Sequence, residues 1–221
     1  PVIPDGKKGV EDPGSPIYLD ENIISQPAAA LQLVAKEIFR MSDQVRDILK
    51  KTIELVKNEE VKSIDGLKEN GEQVERLGKC ITEYLAALFS SGSLTEQQAA
   101  QTASLMCVLS DVERMGTLSV EMAECMLERS DRKYKYTPEA MDELQKSLKV
   151  LNKMFCDSLK ALQGDDGIEP GKMMKRKDKL LDLDIKMRKA HIERVNKGKC
   201  KASLTAPFTN ILHLIDRMGN S

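Results

Sequence analysis

Apolar residues recur every three or four positions along most of this chain, and this period constrains the fold more than any other feature. In the first such segment the apolar positions are Leu31, Val34, Ile38, Met41, Val45, Leu49 and Ile53. That spacing places them on one face of an α-helix whose other face is polar. Charged residues make up 31% of the chain and aromatic residues 4%, which also favours helices over sheets.

Breaks rich in glycine, proline or polar residues divide this pattern into six predicted helices. They cover residues 27–61, 63–89, 94–130, 138–163, 170–196 and 204–220. Polar residues 131–136 separate the third helix from the fourth, and the glycine-containing break at 164–167 ends the fourth. Ser93 and Glu96 have the spacing of a capping box before the third helix, and Thr137 is the predicted N-cap of the fourth.

The six helices fall into two sets of three, which predicts an all-α fold of two tandem antiparallel three-helix bundles. We expect the first bundle to span 27–130 and the second 137–221. Residues 1–26 contain several prolines and glycines that break helices, so we expect a linker that ends in an extended strap.

Composition excludes several classes of function. The net charge of -1 indicates no overall attraction to nucleic acid or anionic lipid. No apolar run approaches the roughly 20 residues that span a bilayer, and no signal peptide is present. The five cysteines are scattered, which is typical of a reducing cytoplasm. Because the chain begins with proline, we expect it to be a piece of a longer protein.

One short motif occurs twice, once near the end of each predicted bundle. Residues 111–124 read DVERMGTLSVEMAE, and residues 215–221 read IDRMGNS. The segment from Glu113 to Thr117 aligns without a gap with the segment from Asp216 to Asn220. A carboxylate, an arginine, Met-Gly and a small polar residue recur in the same order, which indicates a duplicated unit.

Both copies place oxygen-bearing side chains on one helix face. In the first copy these are Glu113, Thr117, Glu121 and Glu124, at steps of four, four and three, and in the second copy Asp216 and Asn220. Hard oxygen ligands at this spacing are typical of carboxylate metal sites in helical bundles. Acidic residues at this spacing usually form only a solvated helix face, and recurrence in register is the observation that argues for metal binding.

Several segments of the chain resemble one known family. Residues 111–124 resemble the PhoU signature, residues 215–220 resemble a second copy of it, and residues 188–198 (RKAHIERVNKG) resemble the segment before that copy. Residues 18–20 and 27–30, together with Met41, resemble the entry to the PhoU-like tail of bacterial sodium/phosphate cotransporters.

The resemblance implies two three-helix bundles, a role in phosphate homeostasis without catalysis, and multinuclear metal clusters. The implied metal ligands in this sequence are Glu113, Thr117, Glu121, Asp178, Asp182, Asp216 and Asn220. Iron, magnesium or calcium is the expected ion. Thr117 and Asn220 stand where the family has a second Asp, and both are weaker, neutral donors, so a lost metal site remains an alternative.

The leading functional hypothesis is a cytoplasmic regulatory domain that modulates phosphate uptake by a sodium-dependent transporter. Its partner is then the transmembrane domain of the same polypeptide, in the inner membrane, with no nucleic acid and with a possible homo-oligomer. The alternatives are a free-standing PhoU-type regulator of phosphate ABC transport and a metal-free helical adaptor. An enzyme is not expected, because no nucleophile–base set and no phosphate-binding glycine loop is present. His191 is predicted to be a core histidine.

Overall fold

The computed structural model describes residues 12–57, 61–131, 135–163 and 170–221. Within these ranges the chain forms six α-helices and no β-strand, so the predicted all-α class is confirmed. The helices are α1 (Pro27–Lys57), α2 (Asp65–Ser90), α3 (Glu96–Ser130), α4 (Pro138–Leu162), α5 (Pro170–Asn196) and α6 (Thr205–Gly219). Short 3-10 turns at Glu21–Ile23 and Ala202–Leu204 precede α1 and α6.

Parts of three predicted non-helical segments lie outside the described residues. They are residues 1–11 of the predicted linker and strap, residues 132–134 of the polar connector, and the break at 164–167.

Local capping explains where two of the helices begin. The predicted cap of α4 is confirmed, because the Thr137 hydroxyl accepts a hydrogen bond from the Ala140 amide at 3.3 Å. The predicted Ser93–Glu96 capping box is wrong. The reciprocal pair is Thr95 and Gln98, whose side chains accept from each other's backbone amides at 3.3 and 2.9 Å. The same chemistry therefore operates two residues later, and α3 begins at Glu96.

The described part of the first helix ends at Lys57, and residues 58–60 of the predicted helix lie outside the described residues. Residues 61–64 are not helical, so the predicted end at residue 61 is wrong. The Ser63 hydroxyl accepts from the Asp65 amide at 3.1 Å and so satisfies a free donor at the start of α2.

The chain divides into two compact units, Pro1–Met41 with Glu72–Leu109 and Ser42–Gly71 with Ser110–Ser221. The boundary between the two units crosses α1, α2 and α3 once each. The predicted boundaries of the two bundles, 27–130 and 137–221, stay a prediction. The buried side chains of the first unit include Leu31, Val34, Ile38, Met41, Leu77, Ile81, Leu85 and Leu88.

In the first unit, a strap that precedes α1 is held by a buried carboxylate. Glu37 has no exposed surface, and one of its oxygens accepts hydrogen bonds from the amides of Ile17 and Tyr18 at 2.9 and 2.6 Å. Its other oxygen binds Arg40 Nε at 2.5 Å. Three donors thus satisfy the buried charge, which would otherwise be costly to remove from water.

Two further side chains bind the backbone of the same strap. The guanidinium of Arg40 donates to the carbonyls of Pro13 and Ser15 at 3.1 and 2.6 Å. From α2, the Tyr84 hydroxyl donates to the Asp20 carbonyl at 2.8 Å. Side chains of α1 and α2 therefore satisfy polar groups of a segment that has little regular structure of its own.

In the second unit, α4, α5 and α6 contact one another pairwise and form a three-helix arrangement. Its fully or nearly fully buried side chains include Leu144, Leu148, Leu151, Met187, Phe208, Ile211, Leu212 and Met218. Burial of side chains of this size stabilises the folded state by about 1.5–3 kcal/mol each before conformational entropy is subtracted. The chain leaves α5 through Gly198, whose φ of 68° suits a residue without a side chain.

Candidate functional site

The C-terminal part of α3 and the α6 helix carry the two motif copies, and the structure packs them against each other. The buried Ser119 hydroxyl lies 3.9 Å from Met218 Sδ, and Asn210 Nδ2 lies 3.3 Å from Cys125 Sγ. Residue numbers rise along α3 as they fall along α6, so the two segments run antiparallel. Burial raises the pKa of the Cys125 thiol, which therefore stays protonated in this contact.

Backbone and side-chain polar groups of α1 and α3 join at the same place. The Thr52 hydroxyl of α1 donates to the Ser119 carbonyl at 3.0 Å, and the Ser119 hydroxyl donates to the Met115 carbonyl at 2.7 Å. These side chains are buried. Their hydrogen bonds satisfy them inside the core, so the first motif copy rests on a rigid support.

The glycine of the second copy allows close packing between α5 and α6. A Cβ at Gly219 would lie 2.5 Å from Leu180 Cδ2, closer than real carbon contacts. The glycine of the first copy, Gly116, is buried as well. The absence of a side chain at Gly219 therefore gives room to Leu180 of the neighbouring helix.

The predicted oxygen donors of the first copy bind separate neighbouring groups of the protein. Thr117 is exposed, and its hydroxyl donates to the Glu113 carbonyl of its own helix at 3.2 Å. Glu121 Oε2 lies 3.4 Å from Arg217 of the second copy, and Glu124 lies 2.8 Å from Lys68 of α2. The hydrogen bond that the Lys68 ammonium donates to Glu124 raises the pKa of Lys68. Both ion pairs are about half exposed and contribute little to stability.

The predicted donors of the second copy line one pocket. Asp178 of α5 and Asp216 and Asn220 of α6 border a cavity of about 300 Å³. Asn220 Nδ2 donates to Asp216 Oδ1 at 3.2 Å and to the Asp216 carbonyl at 2.9 Å. These two hydrogen bonds fix the plane of the Asn220 side-chain amide and so also orient its oxygen.

The fourth predicted donor of this region, Asp182, does not line the pocket. Its carboxylate binds Lys186 Nζ at 2.6 Å on the exposed side of α5. Asp184 lines the pocket instead. One Asp184 oxygen binds Arg188 Nε at 2.7 Å, and the other is buried and accepts no hydrogen bond from any described residue. Sequence reasoning missed Asp184 because it lies outside the i, i+4 spacing.

The predicted ligands fall short of what a metal cluster requires. A hard cation takes six or more oxygen ligands, and a multinuclear cluster needs several carboxylates that converge on each ion. In the described parts of the chain, no three His, Cys, Asp or Glu side chains come together in a way that holds a metal. The described residues therefore do not assemble a multinuclear cluster. Asp178, Asp216 and Asn220 are the predicted ligands that the structure brings together.

Comparison with known proteins gives this arrangement a family context. Residues 38–126 match the family model described as the PhoU domain, a range that contains the whole first motif copy. Residues 38–126 are therefore similar to a PhoU domain. Over 187 residues it is 23% identical to the "Phosphate-specific transport system accessory protein PhoU homolog 1" of Thermotoga maritima, which covers 85% of this chain and 78% of that protein. No solved structure matches the chain significantly.

The histidine on α5 is a core residue, as predicted. His191 is 2% exposed, its ring stacks on Phe208 with centroids 4.5 Å apart, and its Nε2 lies 3.2 Å from the Thr205 hydroxyl. Burial, assisted by Arg194, lowers the pKa of His191, and Glu143 opposes this weakly. The ring is therefore neutral at neutral pH and ties α5 to α6.

None of the described helices combines the length and the apolarity that a membrane span needs.

Proposed function

We propose that this chain is a regulatory domain that adjusts phosphate uptake through contact with a transporter. The PhoU domain match over residues 38–126 is the observation that carries the proposal. The antiparallel packing of two motif copies supports it, because the duplicated signature forms one connected structural element. In the finer form of the proposal, the transporter is sodium-dependent, lies in the inner membrane, and belongs to the same polypeptide, with this domain in the cytoplasm.

A regulatory role suits the chemistry of the pocket better than catalysis. Its described polar residues are Lys177, Asp178, Asp184, Asp216 and Asn220. They include no serine, cysteine or histidine that a neighbouring base activates, which is the arrangement that nucleophilic catalysis requires. They can bind cations or hydrogen-bond donors, and binding at this place bears directly on the contact between α5 and α6.

A second candidate is a free-standing regulator of a phosphate-specific transport system. The relative from Thermotoga maritima is by name an accessory protein of such a system, and this chain aligns with 78% of it. Affinity purification from the native cell separates the two candidates. A transporter span on the same polypeptide supports the first, and a separate transport complex in the eluate supports the second.

Phosphate uptake measured in cells tests the regulatory role. Cells that depend on the cognate transporter are compared with and without the region encoding residues 12–221, at low and high external phosphate. We expect removal of the region to change the uptake rate in a way that depends on external phosphate. Equal uptake in both strains at every phosphate concentration, with equal transporter abundance, would contradict the proposal.

We also propose that the pocket beside the second motif copy takes a hard cation through Asp178, Asp216 and Asn220. The bound cation would supply a positive charge between α5 and α6, and the protein residues would orient their oxygens toward it. Calorimetric titration with Mg²⁺, Ca²⁺ and Fe²⁺ tests this. Asp216→Ala should abolish binding, and Asp142→Ala, an exposed aspartate on α4, should not. Binding that survives Asp216→Ala would place the cation elsewhere.

A further inference from the structure

The α4 and α5 helices carry two rows of lysines with the same spacing. In each row the steps are three, four and seven residues, which place all four side chains on one side of the helix. All eight side chains are exposed. The rows are Lys146, Lys149, Lys153 and Lys160 on α4, and Lys172, Lys175, Lys179 and Lys186 on α5.

Contacts between the antiparallel helices bring the two rows level with each other. Three of these contacts set the register: Asp157 with Arg176, Ser147 with Met187, and Glu143 with Arg194. In this register Lys149 is level with Lys186, and Lys160 with Lys175, to within about 1.5 Å along the helix axis. Packed helix axes lie about 8–10 Å apart, so like charges face one another across the seam and repel.

Both rows point outward on the same side of the helix pair. On α4 the row lies next to Asp157 and away from the buried Leu148. On α5 it lies next to Arg176 and away from Leu180 and His191, which contact α6. These placements follow from the turn of about 100° per residue along a helix. The rows therefore form one surface, called here the lysine face, which is nearly flat because the two helices lie side by side.

The lysine face is strongly positive although the chain is not. Asp142 and Asp182 bind lysines of the two rows at 2.6 Å each, whereas Asp178 and Asp184 turn toward the pocket between α5 and α6. Eight lysines and these two bound aspartates leave the face a net charge of +6, compared with -1 for the whole chain. The remaining residues therefore carry -7. An anionic partner is attracted to this face and repelled by the rest, so it meets the protein in one orientation.

We propose that the lysine face docks on the surface of an anionic phospholipid bilayer. This goes beyond the proposed function, because neither a phosphate signal nor contact with a transporter requires the protein to bind lipid. A flat face of lysines suits a fluid sheet of headgroups, since each ammonium is a point charge on a flexible stem and needs no fixed partner geometry. Each lysine near such a surface contributes about fivefold to the affinity.

The same chemistry disfavours nucleic acid and protein as partners. The three arginines of α5 are each paired with a carboxylate of the protein, so none is left for the two-pronged contacts that read bases and phosphates. Phe155, the only Phe, Tyr or Trp of α4 and α5, is buried and does not stack on a base. The side chains of the lysine face are lysines and aspartates, whereas a protein interface has an apolar centre.

Flotation with lipid vesicles tests the surface. The chain is mixed with vesicles of phosphatidylcholine, either alone or with about 30% phosphatidylglycerol to supply negative charge. We expect binding to the anionic vesicles only. At about 0.1 M salt the chain should bind, and at about 1 M salt it should not, because the Debye length falls from about 10 Å to about 3 Å. A chain that stays off anionic vesicles, or that binds neutral vesicles equally, overturns the proposal.

Charge reversal of one row locates the contact. Lys149→Glu, Lys153→Glu and Lys160→Glu combined should weaken binding at least about 100-fold, since each change removes an attraction of about fivefold. The matched control should bind nearly as tightly as the parent, because charges farther from the bilayer than a Debye length are screened. Equal losses in the two triple variants overturn the proposal. The control changes the net charge equally through three exposed lysines outside α4 and α5: Lys36→Glu, Lys57→Glu and Lys79→Glu.

Footprinting of the unsubstituted chain tests the same contact without any variant. Lysines are acylated with and without anionic vesicles, and the modified positions are read by mass spectrometry. Vesicles should protect the lysine face and leave the three control positions reactive. Equal protection of both sets overturns the proposal, even if the triple variant on α4 fails to fold.

Soluble polyanions are the competing occupants of the lysine face. Duplex DNA and inorganic polyphosphate are titrated against the parent chain and the triple variant on α4, at the same salt concentration as the vesicles. Binding of either polyanion through the lysine face, without binding to anionic vesicles, overturns the assignment to lipid. All of these results are separate from the comparison of phosphate uptake, which measures regulation and not lipid binding.

Discussion

The carboxylate of Glu37 gives the sharpest test of how the strap is held. Glu37→Gln keeps the size and one acceptor oxygen of the side chain, but it removes the charge. The new amide group also directs its hydrogens toward Arg40, which itself can only donate. The variant therefore breaks the 2.5 Å bond to Arg40 Nε and weakens the bonds from the Ile17 and Tyr18 amides.

The expected loss follows from the number of bonds and their charge. A hydrogen bond to a charged group contributes about 1.5–3 kcal/mol, and the bond to Arg40 is lost completely. Weakening of the two amide bonds adds to this, for a total of about 2–4 kcal/mol. The strap can detach without unfolding α1, so the measured loss in global stability cannot exceed the free energy that docks the strap.

Amide hydrogen exchange at Ile17 and Tyr18 is therefore the decisive measurement. A loss of 2–4 kcal/mol corresponds to a decrease in protection of about 30- to 1,000-fold at these two amides. Urea denaturation should show an equal or smaller loss of unfolding free energy. Glu54→Gln, an exposed glutamate on the same helix, is the matched control and should change neither quantity. Unchanged protection at Ile17 and Tyr18 in Glu37→Gln would refute the reasoning.

Three further predictions concern stability. Burial lowers the pKa of His191, so the unfolded chain binds a proton at this residue before the folded chain does as pH falls below about 6.5. The unfolding free energy should therefore fall in that range, and calorimetry should show a weaker fall in His191→Gln; an equal fall in the variant would contradict this account. Gly219→Ala should lower the unfolding free energy by about 1–2 kcal/mol, because the new methyl group overpacks against Leu180. Gly66→Ala should raise it, because a methyl group there meets nothing within 4 Å and alanine favours the helix. A higher melting temperature for both variants would contradict the close approach at Gly219. Thr137→Ala removes the N-cap of α4 and should lower the unfolding free energy, measured by urea denaturation, by about 1 kcal/mol. Thr137→Ser keeps a capping hydroxyl and should have nearly the stability of the parent chain. An unchanged stability in Thr137→Ala would show that the cap is not needed.

The helices were predictable because their information is local. Apolar residues at three- and four-residue spacing decide which segments are helical, and Thr137 with Pro138 marks the start of α4 in the sequence itself. The wrong capping box predicted for α3 also concerns only neighbouring residues. Both Ser93 and Thr95 can cap a helix, and only the backbone path decides that Thr95 and Gln98 form the reciprocal pair.

The site was less predictable because it depends on contacts between distant segments. Spacing placed Asp178 and Asp182 on α5 at the family's interval, but helix packing turns Asp178 and Asp184 toward the pocket and leaves Asp182 with Lys186. The buried role of Glu37 was not visible either. In sequence it is one glutamate on an amphipathic helix, and its donors lie about 20 residues earlier in the strap.

The antiparallel contact between the two motif copies constrains the evolution of the sequence. The buried Ser119 hydroxyl and Met218 Sδ lie 3.9 Å apart, between the segments that carry the two motif copies. A larger side chain at either position must be matched by a smaller one at the other, because the interior has no spare volume. The two motif copies are therefore not free to diverge independently, and we expect substitutions in one copy to covary with substitutions in the other.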